Sequence, residues 1–363
     1  MSWLPVSDAP AYDEVLAARD ELLDVVTDFP WVNDIDRATW VAGVLTMFAR
    51  HAFDGPTPVF VVTGNGPGAG KTLACKAAVM IATGRQPAMC AYQRRDDEQM
   101  KTIASQLLAS RQAVILDNVD CALGSPTFNL LWTSTSFEAR LLATNEAPSM
   151  PAKTVWWASG NNITYYRDTP RRVAQMRMQA DESPESRQNF KHGDLLAHVR
   201  DNHKRLVWAA LTMLRGAFKA GKWTSAGLPA WGSYEAWSKV VRGSVLYAGL
   251  PDPIEGRVSS DDDPEHDTLA TLHAAWSELP NGTNETGVTV TGALDELELR
   301  PAKYATLRRL LADEMGKDVT ARRFGSMLKR RRDRVRAGVA LIHCGKGENG
   351  VRWAVRPVAS RNG

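Results

Sequence analysis

Cysteine is scarce in this chain: four in 363 residues, at positions 75, 90, 121 and 344. Scattered in this way they form neither a disulfide framework nor a metal-ligand spacing, so a reducing, cytoplasmic home is the expectation. No apolar run approaches the ~18 residues of a membrane span. The first residues also lack the basic and apolar regions of a signal peptide, so no membrane partner is expected. Net charge is low as well, at +3, but it is unevenly spread. Residues 300–363 hold 17 Lys or Arg against 5 Asp or Glu, a net of +12, which leaves −9 on the preceding 299 residues. A basic end on an acidic body points to a polyanionic partner for that end. With 44% hydrophobic and 23% charged residues, the remainder has the composition of a globular chain of two or three domains.

Against this background one stretch stands out, Val59-Phe-Val-Val-Thr-Gly-Asn-Gly-Pro-Gly-Ala-Gly-Lys-Thr72. Val59 to Val62 reads as a buried strand, Gly64 to Gly70 as a glycine-rich loop, and Leu73 to Ile81 as a helix. Such a loop wraps a polyphosphate with backbone N–H groups and aims a helix N-terminus at the same charge. Asn65, Gly66, Gly68 and Gly70 form the cradle; Lys71 can reach the β- and γ-phosphates, and the Thr72 hydroxyl can ligate Mg²⁺. Asn65 stands where the G-x-x-x-x-G-K-[ST] pattern has its first glycine. Asn tolerates positive φ better than most residues, so the turn is expected to survive.

Helices are expected over 11–29 and 34–52, then a strand at 88–92 and a helix over 96–110. Ala113-Val-Ile-Leu-Asp117 is a strand ending in a carboxylate, placed to hold the Mg²⁺ that Thr72 also touches, since parallel strands share one ligand-binding edge. A strand-ending Asp can also simply cap the next turn. Asn118 follows where many ATPases have Glu, and Asp120 is the nearest other acid to orient water. Phe137–Ala143 and Thr154–Gly160 read as strands around a polar tip, Thr144 to Lys153. Asn161 follows the second strand and could hold water, sense a γ-phosphate, or serve only the turn. Arg171 and Arg172, ahead of a strand at 173–178, are either a solvated pair or an arginine finger for a neighbouring subunit. Residues 194–221 read as a long helix or a pair, and Val258 to Glu265 as an acidic linker. Helices at 266–279, 301–315 and 320–335 precede a hairpin, 339–343 with 351–355, an arrangement that suggests a winged helix. Arg322, Arg323, Lys329, Arg330, Arg331, Arg332, Arg334 and Arg336 put eight positive charges in fifteen residues, suited to DNA phosphates.

In their order, Asn65–Thr72, Val114–Asn118, Trp156–Asn162 and Asp168–Arg172 resemble the Walker A, Walker B, sensor 1 and arginine-finger segments of AAA+ ATPases. More closely, residues 20–255 resemble the helicase module of phage and mobile-element primase–helicases, relatives of superfamily 3. Phe29-Pro-Trp31, Trp40–Thr46, Trp231–Trp237 and Gly249-Leu-Pro-Asp-Pro253 add to the likeness. The resemblance implies an α/β AAA+ P-loop ATPase core at 56–190, with Asn161 on a strand between those of Thr72 and Asp117. It implies an N-terminal helical domain at 1–55 and a helical lid at 191–257, with Arg200 and Arg205 as possible sensors. A C-terminal winged helix at 266–363 completes the chain. It further implies ATP and Mg²⁺ as cofactors and ATP-driven DNA unwinding in replication. The partner would be single-stranded DNA inside a homo-oligomeric ring, a hexamer, touched by the tip near Lys153, with duplex DNA at the winged helix. The alternative is an ATP-switched DNA-binding initiator or regulator that does not translocate. About 58 residues precede the P-loop strand, too few for a primase–polymerase domain, so primer synthesis is not expected.

Overall fold

The apolar run before the glycine loop is the second-from-edge strand of a five-stranded parallel sheet. In this computed structural model, which describes residues 5–139, 147–180, 190–258, 264–316, 319–336, 338–347 and 350–358, that strand is β1 (Val59–Gly64). Helices α1 (Tyr12–Val25) and α2 (Asp34–Ala49) come before it; α3 (Lys71–Thr83), β2 (Ala88–Ala91), α4 (Asp96–Leu108) and β3 (Ala113–Asp117) follow. Next come α5 (Pro126–Leu131), the short antiparallel pair β4 (Ser136–Glu138) and β5 (Ser149–Pro151), β6 (Val155–Asn161) and β7 (Val173–Met178). The sheet order is β2-β3-β6-β1-β7, with every pairing parallel. A parallel sheet covered on both faces needs near-continuous apolar strands, and β1, β3 and β6 supply them.

The pleat sorts these side chains into two cores. Phe60, Val62, Ile115, Trp157 and Met176 face α1, α2, α3 and the helices that follow β7, whereas Val61, Val114, Leu116, Trp156 and Ala158 face α4, α5 and the β4–β5 pair. The helices beyond β7 are α6 (Leu195–Asp201), α7 (His203–Lys219), α8 (Glu235–Trp237) and α9 (Gly243–Tyr247), with a π-helical turn over Ser238–Arg242 between the last two. Helices α1 and α2 share the first core with α3, and the Trp40 indole N–H donates to Ala74 O at 3.0 Å. Residues up to 259 therefore form one compact unit, and the core is not divided at the expected boundaries near 55 and 190.

Two expectations change here. The strand expected at 137–143 is β4, which pairs outside the main sheet, and β5 lies within the expected tip; residues 140–146 fall outside the described set. The acidic linker's residues 259–263 also fall outside it.

The second unit, 260–363, has its own core of Trp276, Leu307, Phe324, Leu328 and Leu341. It runs α10 (Pro264–Ser277), β8 (Val288–Thr289), α11 (Val290–Leu299), α12 (Ala305–Met315), α13 (Ala321–Arg331), β9 (Val335–Arg336), β10 (Val339–Gly347) and β11 (Gly350–Pro357). The strands form one antiparallel sheet, β8-β11-β10-β9. Sequence reading had missed β8 and α11: two residues of strand carry no periodicity, and Thr289, whose side chain caps α11 through Gly292 N, is a single cue. No helix among the described residues is long and apolar enough to cross a membrane.

Gly43 of α2 lies against the buried indole of Trp157: a Cβ built there would stand 2.4 Å from Cη2. Gly43→Val regains only a few tenths of a kcal/mol in helix propensity. Overpacking at a rigid indole costs about 1–3 kcal/mol, so a net loss is expected. A lower urea midpoint at unchanged m-value is the expected result; an unaltered midpoint would mean that Trp157 moves aside freely.

Candidate functional site

At the end of β1 the chain leaves the sheet at Gly64 and loops into the N-terminus of α3. Gly68 and Gly70 hold φ of 80° and 90°, the left-handed region where a Cβ is strained. Gly70 is doubly required, since a Cβ there would stand 2.6 Å from Phe29 Cε1. Asn65, expected to tolerate positive φ, does not adopt it. Its amide instead exchanges two hydrogen bonds of 3.3 Å with the Ala180 backbone, and the loop entrance is thereby tied to the end of β7. The Lys71 ammonium is buried and closes on the Gly66 carbonyl; burial lowers its pKa below the usual lysine value.

Beside the loop, three oxygens meet. Thr72 Oγ1 donates to Asp117 Oδ1 at 2.8 Å, Ser159 Oγ donates to the same oxygen at 2.7 Å, and the two hydroxyls are 3.1 Å apart. Each comes from a different element: α3, β3 and β6. Ser159 was not singled out in the sequence. The available signal was a polar residue in a fully buried strand, on the same pleat face as Trp157 and Asn161. Asn161 pairs in register with Gly64, because β6 runs between β1 and β3.

Lys71, Thr72, Asp117, Asn118, Ser159 and Asn161 line one open cleft of about 570 Å³, and Leu196 of α6 faces it as well. A second, smaller and more apolar pocket of about 190 Å³ adjoins the same loop, between Phe29, Gly70, Leu73, Phe190 and Leu195. The donor set in the cleft is a hard one, two hydroxyls and a carboxylate, of the kind Mg²⁺ takes beside phosphates. With N–H groups at a helix N-terminus and a reachable ammonium, the residues present fit a Mg–nucleotide.

The other expected residues lie elsewhere. Asp120 bonds Arg94 at 2.9 Å on the surface, and that contact holds its carboxyl below the usual range. Arg171 and Arg172 end a 3₁₀ turn, Thr169–Arg172, and engage Asp168. They precede β7, roughly 16 Å of strand from the edge that carries the loop, at about 3.3 Å per residue. Arg200 pairs with Asp201 at 3.5 Å and Arg205 with Glu21, so neither is turned to the phosphate loop. Lys153 bonds Asp54 at 3.3 Å and the Phe53 carbonyl, at the start of β6 and away from the cleft. In the second unit Arg322, Arg323, Lys329, Arg330 and Arg332 are exposed. Arg331 is not: its side chain is 8% exposed and bonds Glu314 at 2.8 Å, which removes it from any phosphate-facing set.

No protein-family model and no curated protein matches the chain. Among solved structures, the apo A form of the NrS-1 C-terminal region aligns at a TM-score of 0.44 and 12% identity, covering 98% of this chain and 79% of that one. SCCmec type IV Cch, an active helicase, aligns at 0.39 and 12%, covering 97% and 72%. An inhibitor-bound JCV helicase aligns at 0.29 and 11%, covering 57% and 61%. None reaches 0.5, and the reading below rests on the chain's own residues.

Ser159→Ala removes one hydroxyl from the oxygen cluster without opening the core. Nucleotide affinity in a chelator should be unchanged, and the gain on adding Mg²⁺ should fall about tenfold, the scale of one hydrogen bond to a charged group. Calorimetric titrations with and without magnesium would show this. An undiminished magnesium effect would exclude Ser159 from the site.

Proposed function

We propose that the first unit is an AAA+-type P-loop ATPase and that the chain is an ATP-dependent DNA helicase, or replication ATPase, of a phage or mobile element. The observation that carries this is the meeting of the loop, the Thr72–Ser159–Asp117 oxygens and Asn161 at one edge of the sheet. In this reading residues 1–55 are the N-terminal helices, 56–190 the ATPase core, 191–257 the lid and 266–363 a winged helix. Lys71 and the loop would hold the phosphates, Thr72 and Asp117 the Mg²⁺, and Asn161 would sense the terminal phosphate. The bound ion supplies charge neutralisation at the β- and γ-oxygens. The apolar pocket beside Phe29 and Leu195 suits a planar base.

Arg171 and Arg172 sit too far along the sheet to serve their own loop. Arg171 is exposed, as an arginine finger acting on the next subunit of a ring would be, whereas Arg172 is half-buried; a hexamer is the arrangement the motif resemblance implies. Lys153 could touch single-stranded DNA in the pore only by releasing Asp54. For duplex DNA, Arg322 and Lys329 of α13 share a groove of about 330 Å³ with Val290 and the β11 residues Gly350, Val351 and Trp353, which supports phosphate contact by helix and hairpin together. A second reading, an ATP-switched initiator without translocation, is favoured by Asn118 standing where an acid would activate water and by Asp120 being held on Arg94.

Strand displacement separates the two. The wild-type chain should unwind a forked duplex only with ATP and Mg²⁺, and Lys71→Ala should bind no nucleotide and displace nothing while remaining folded. Nucleotide-dependent DNA binding without displacement would move the assignment to the second reading. Unaltered ATP affinity of the Lys71 variant would remove both.

Duplex affinity measured by anisotropy over a range of salt tests the basic helix. Each phosphate contact contributes about −0.9 to the slope of log affinity against log salt. Replacing Arg322, Arg323, Lys329 and Arg330 together by Ala should flatten the slope by roughly 3 to 4. Equal slopes would make the helix a solvated face.

A further inference from the structure

At the edge of the apolar pocket lies a cluster of three side chains to which the nucleotide reading gives no role, although one of them, His192, also lines the pocket. His192 Nε2 stands 3.0 Å from Asp24 Oδ2, and the ring of His198 stacks on that of His192 with centroids 3.7 Å apart and planes at 25°. Asp24 comes from α1 and His198 from α6, while His192 precedes α6 and lines the same pocket as Gly68 and Gly70 of the phosphate loop. One donor atom from each of the three side chains falls within 4.8 Å of the others, and all three are half-buried.

An ion pair alone accounts for part of this. Asp24 Oδ1 accepts from the Lys191 ammonium, and Oδ2 faces His192. It does not account for the second imidazole, which stacks on the first with its Nδ1 3.3 Å from the Asn202 amide. Two imidazoles and one carboxylate are the donor set of borderline divalent metals such as Zn²⁺, with bonds of about 2.0–2.1 Å. A tetrahedral ion with such bonds places its ligand atoms about 3.3 Å apart. The 3.0 Å contact is close to that spacing, and the other separations, all within 4.8 Å, would have to close by at most about 1.5 Å.

We propose that Asp24, His192 and His198 form a site for one Zn²⁺-class divalent ion that clasps the segment leading into α6 onto α1. Three protein ligands leave a fourth position for water. The bound ion fixes His192, and with it one wall of the pocket that adjoins the phosphate loop. The site stands on its own side chains and does not depend on the nucleotide assignment. Lys191 is its built-in competitor, because an ammonium on the other oxygen of Asp24 opposes a second positive charge there.

The test uses the full chain, stripped with chelator, and ZnCl₂ or CoCl₂ as the only additions. Wild type should take up one Zn²⁺ per chain with micromolar or tighter affinity, and Co²⁺ should give the visible absorption of a tetrahedral nitrogen–oxygen site. His192→Gln and His198→Gln should each weaken binding at least tenfold, His51→Gln should not, and Lys191→Ala should tighten it several-fold. The thermal midpoint should rise with Zn²⁺ in wild type and Lys191→Ala but not in the His192 or His198 variants, by mass action on the folded form. Absence of stoichiometric Zn²⁺ uptake by both the wild type and Lys191→Ala would show the cluster to be an ion pair only. That result needs no folded His192 or His198 variant, and so it overturns the proposal directly.

Discussion

A hydroxyl contributed by β6 joins a hydroxyl from α3 to a carboxylate from β3, and the placing of much else in the first unit follows from that junction. For Ser159 to reach both Thr72 and Asp117, β6 must lie between β1 and β3, and the three strands must run parallel so that their carboxyl ends share one edge. Parallel neighbours require crossover connections, and these cover the sheet with helices on both faces. The strands can then be nearly all apolar except at their last residues, where the polar groups of the cleft gather. Ser159 is the exception that shows the rule: it is polar, 1% exposed, and fully engaged by its two partners.

Several segments that make the chain resemble a known family prove to be pins rather than chemistry. The Trp231 indole N–H donates to Arg171 O at 2.9 Å, Tyr234 Oη to Trp132 O at 3.0 Å, and Trp237 Nε1 to Thr46 Oγ1 at 2.8 Å. In each of these three cases a large ring fills core volume while its one polar atom finds a partner. Arg242, fully buried, donates from Nε to Asp252 at 2.6 Å and from Nη1 to the Pro229 carbonyl at 2.7 Å. The π-helical turn over Ser238–Arg242 widens the helix just where that guanidinium turns inward. Loss of Asp252 would leave a buried charge unpaired, at a cost of about 3–5 kcal/mol. The polypeptide after β7 is thus fastened to the sheet unit by directional bonds as well as by burial.

How much of this was legible in the sequence depends on the range of the interaction. The strand–loop–helix around Lys71 was legible because glycine, lysine and threonine act there through local backbone geometry. Asp117 and Asn161 were legible because position at a strand end implies position at the sheet edge. The turn at Asn65 survives as expected, but the bond that fixes its side chain was not legible: the partner, Ala180, lies 115 positions away, and no local propensity reports it. Asp120 is the acid nearest in sequence and Lys153 follows only from the family resemblance, whereas tertiary ion pairs with Arg94 and Asp54 hold their side chains. The short strands β5 and β8 escaped because two or three residues cannot show a period.

Arg331 was misplaced for a different reason, and here the signal was present. Four consecutive basic residues, Lys329 to Arg332, cannot all face water when they close an α-helix, because each residue turns the chain by about 100°. The buried stripe of α13 is Phe324, Met327 and Leu328, so the next inward position in the i, i+3, i+4, i+7 series is residue 331. Arginine survives there because Glu314, at the end of α12, meets it at 2.8 Å, and because its methylene stem can lie along the apolar stripe. A guanidinium so placed is partly desolvated and spoken for by a carboxylate, and a phosphate would have to displace both. Charge counts along a helix therefore overstate what the helix can offer a polyanion. Of the eight cations the helical period assigns one to the core; positions 322, 323, 329 and 330 remain on the helix and 332 at its cap, with Arg332 already shared with Asp333 at 2.9 Å, and 334 and 336 lie beyond it.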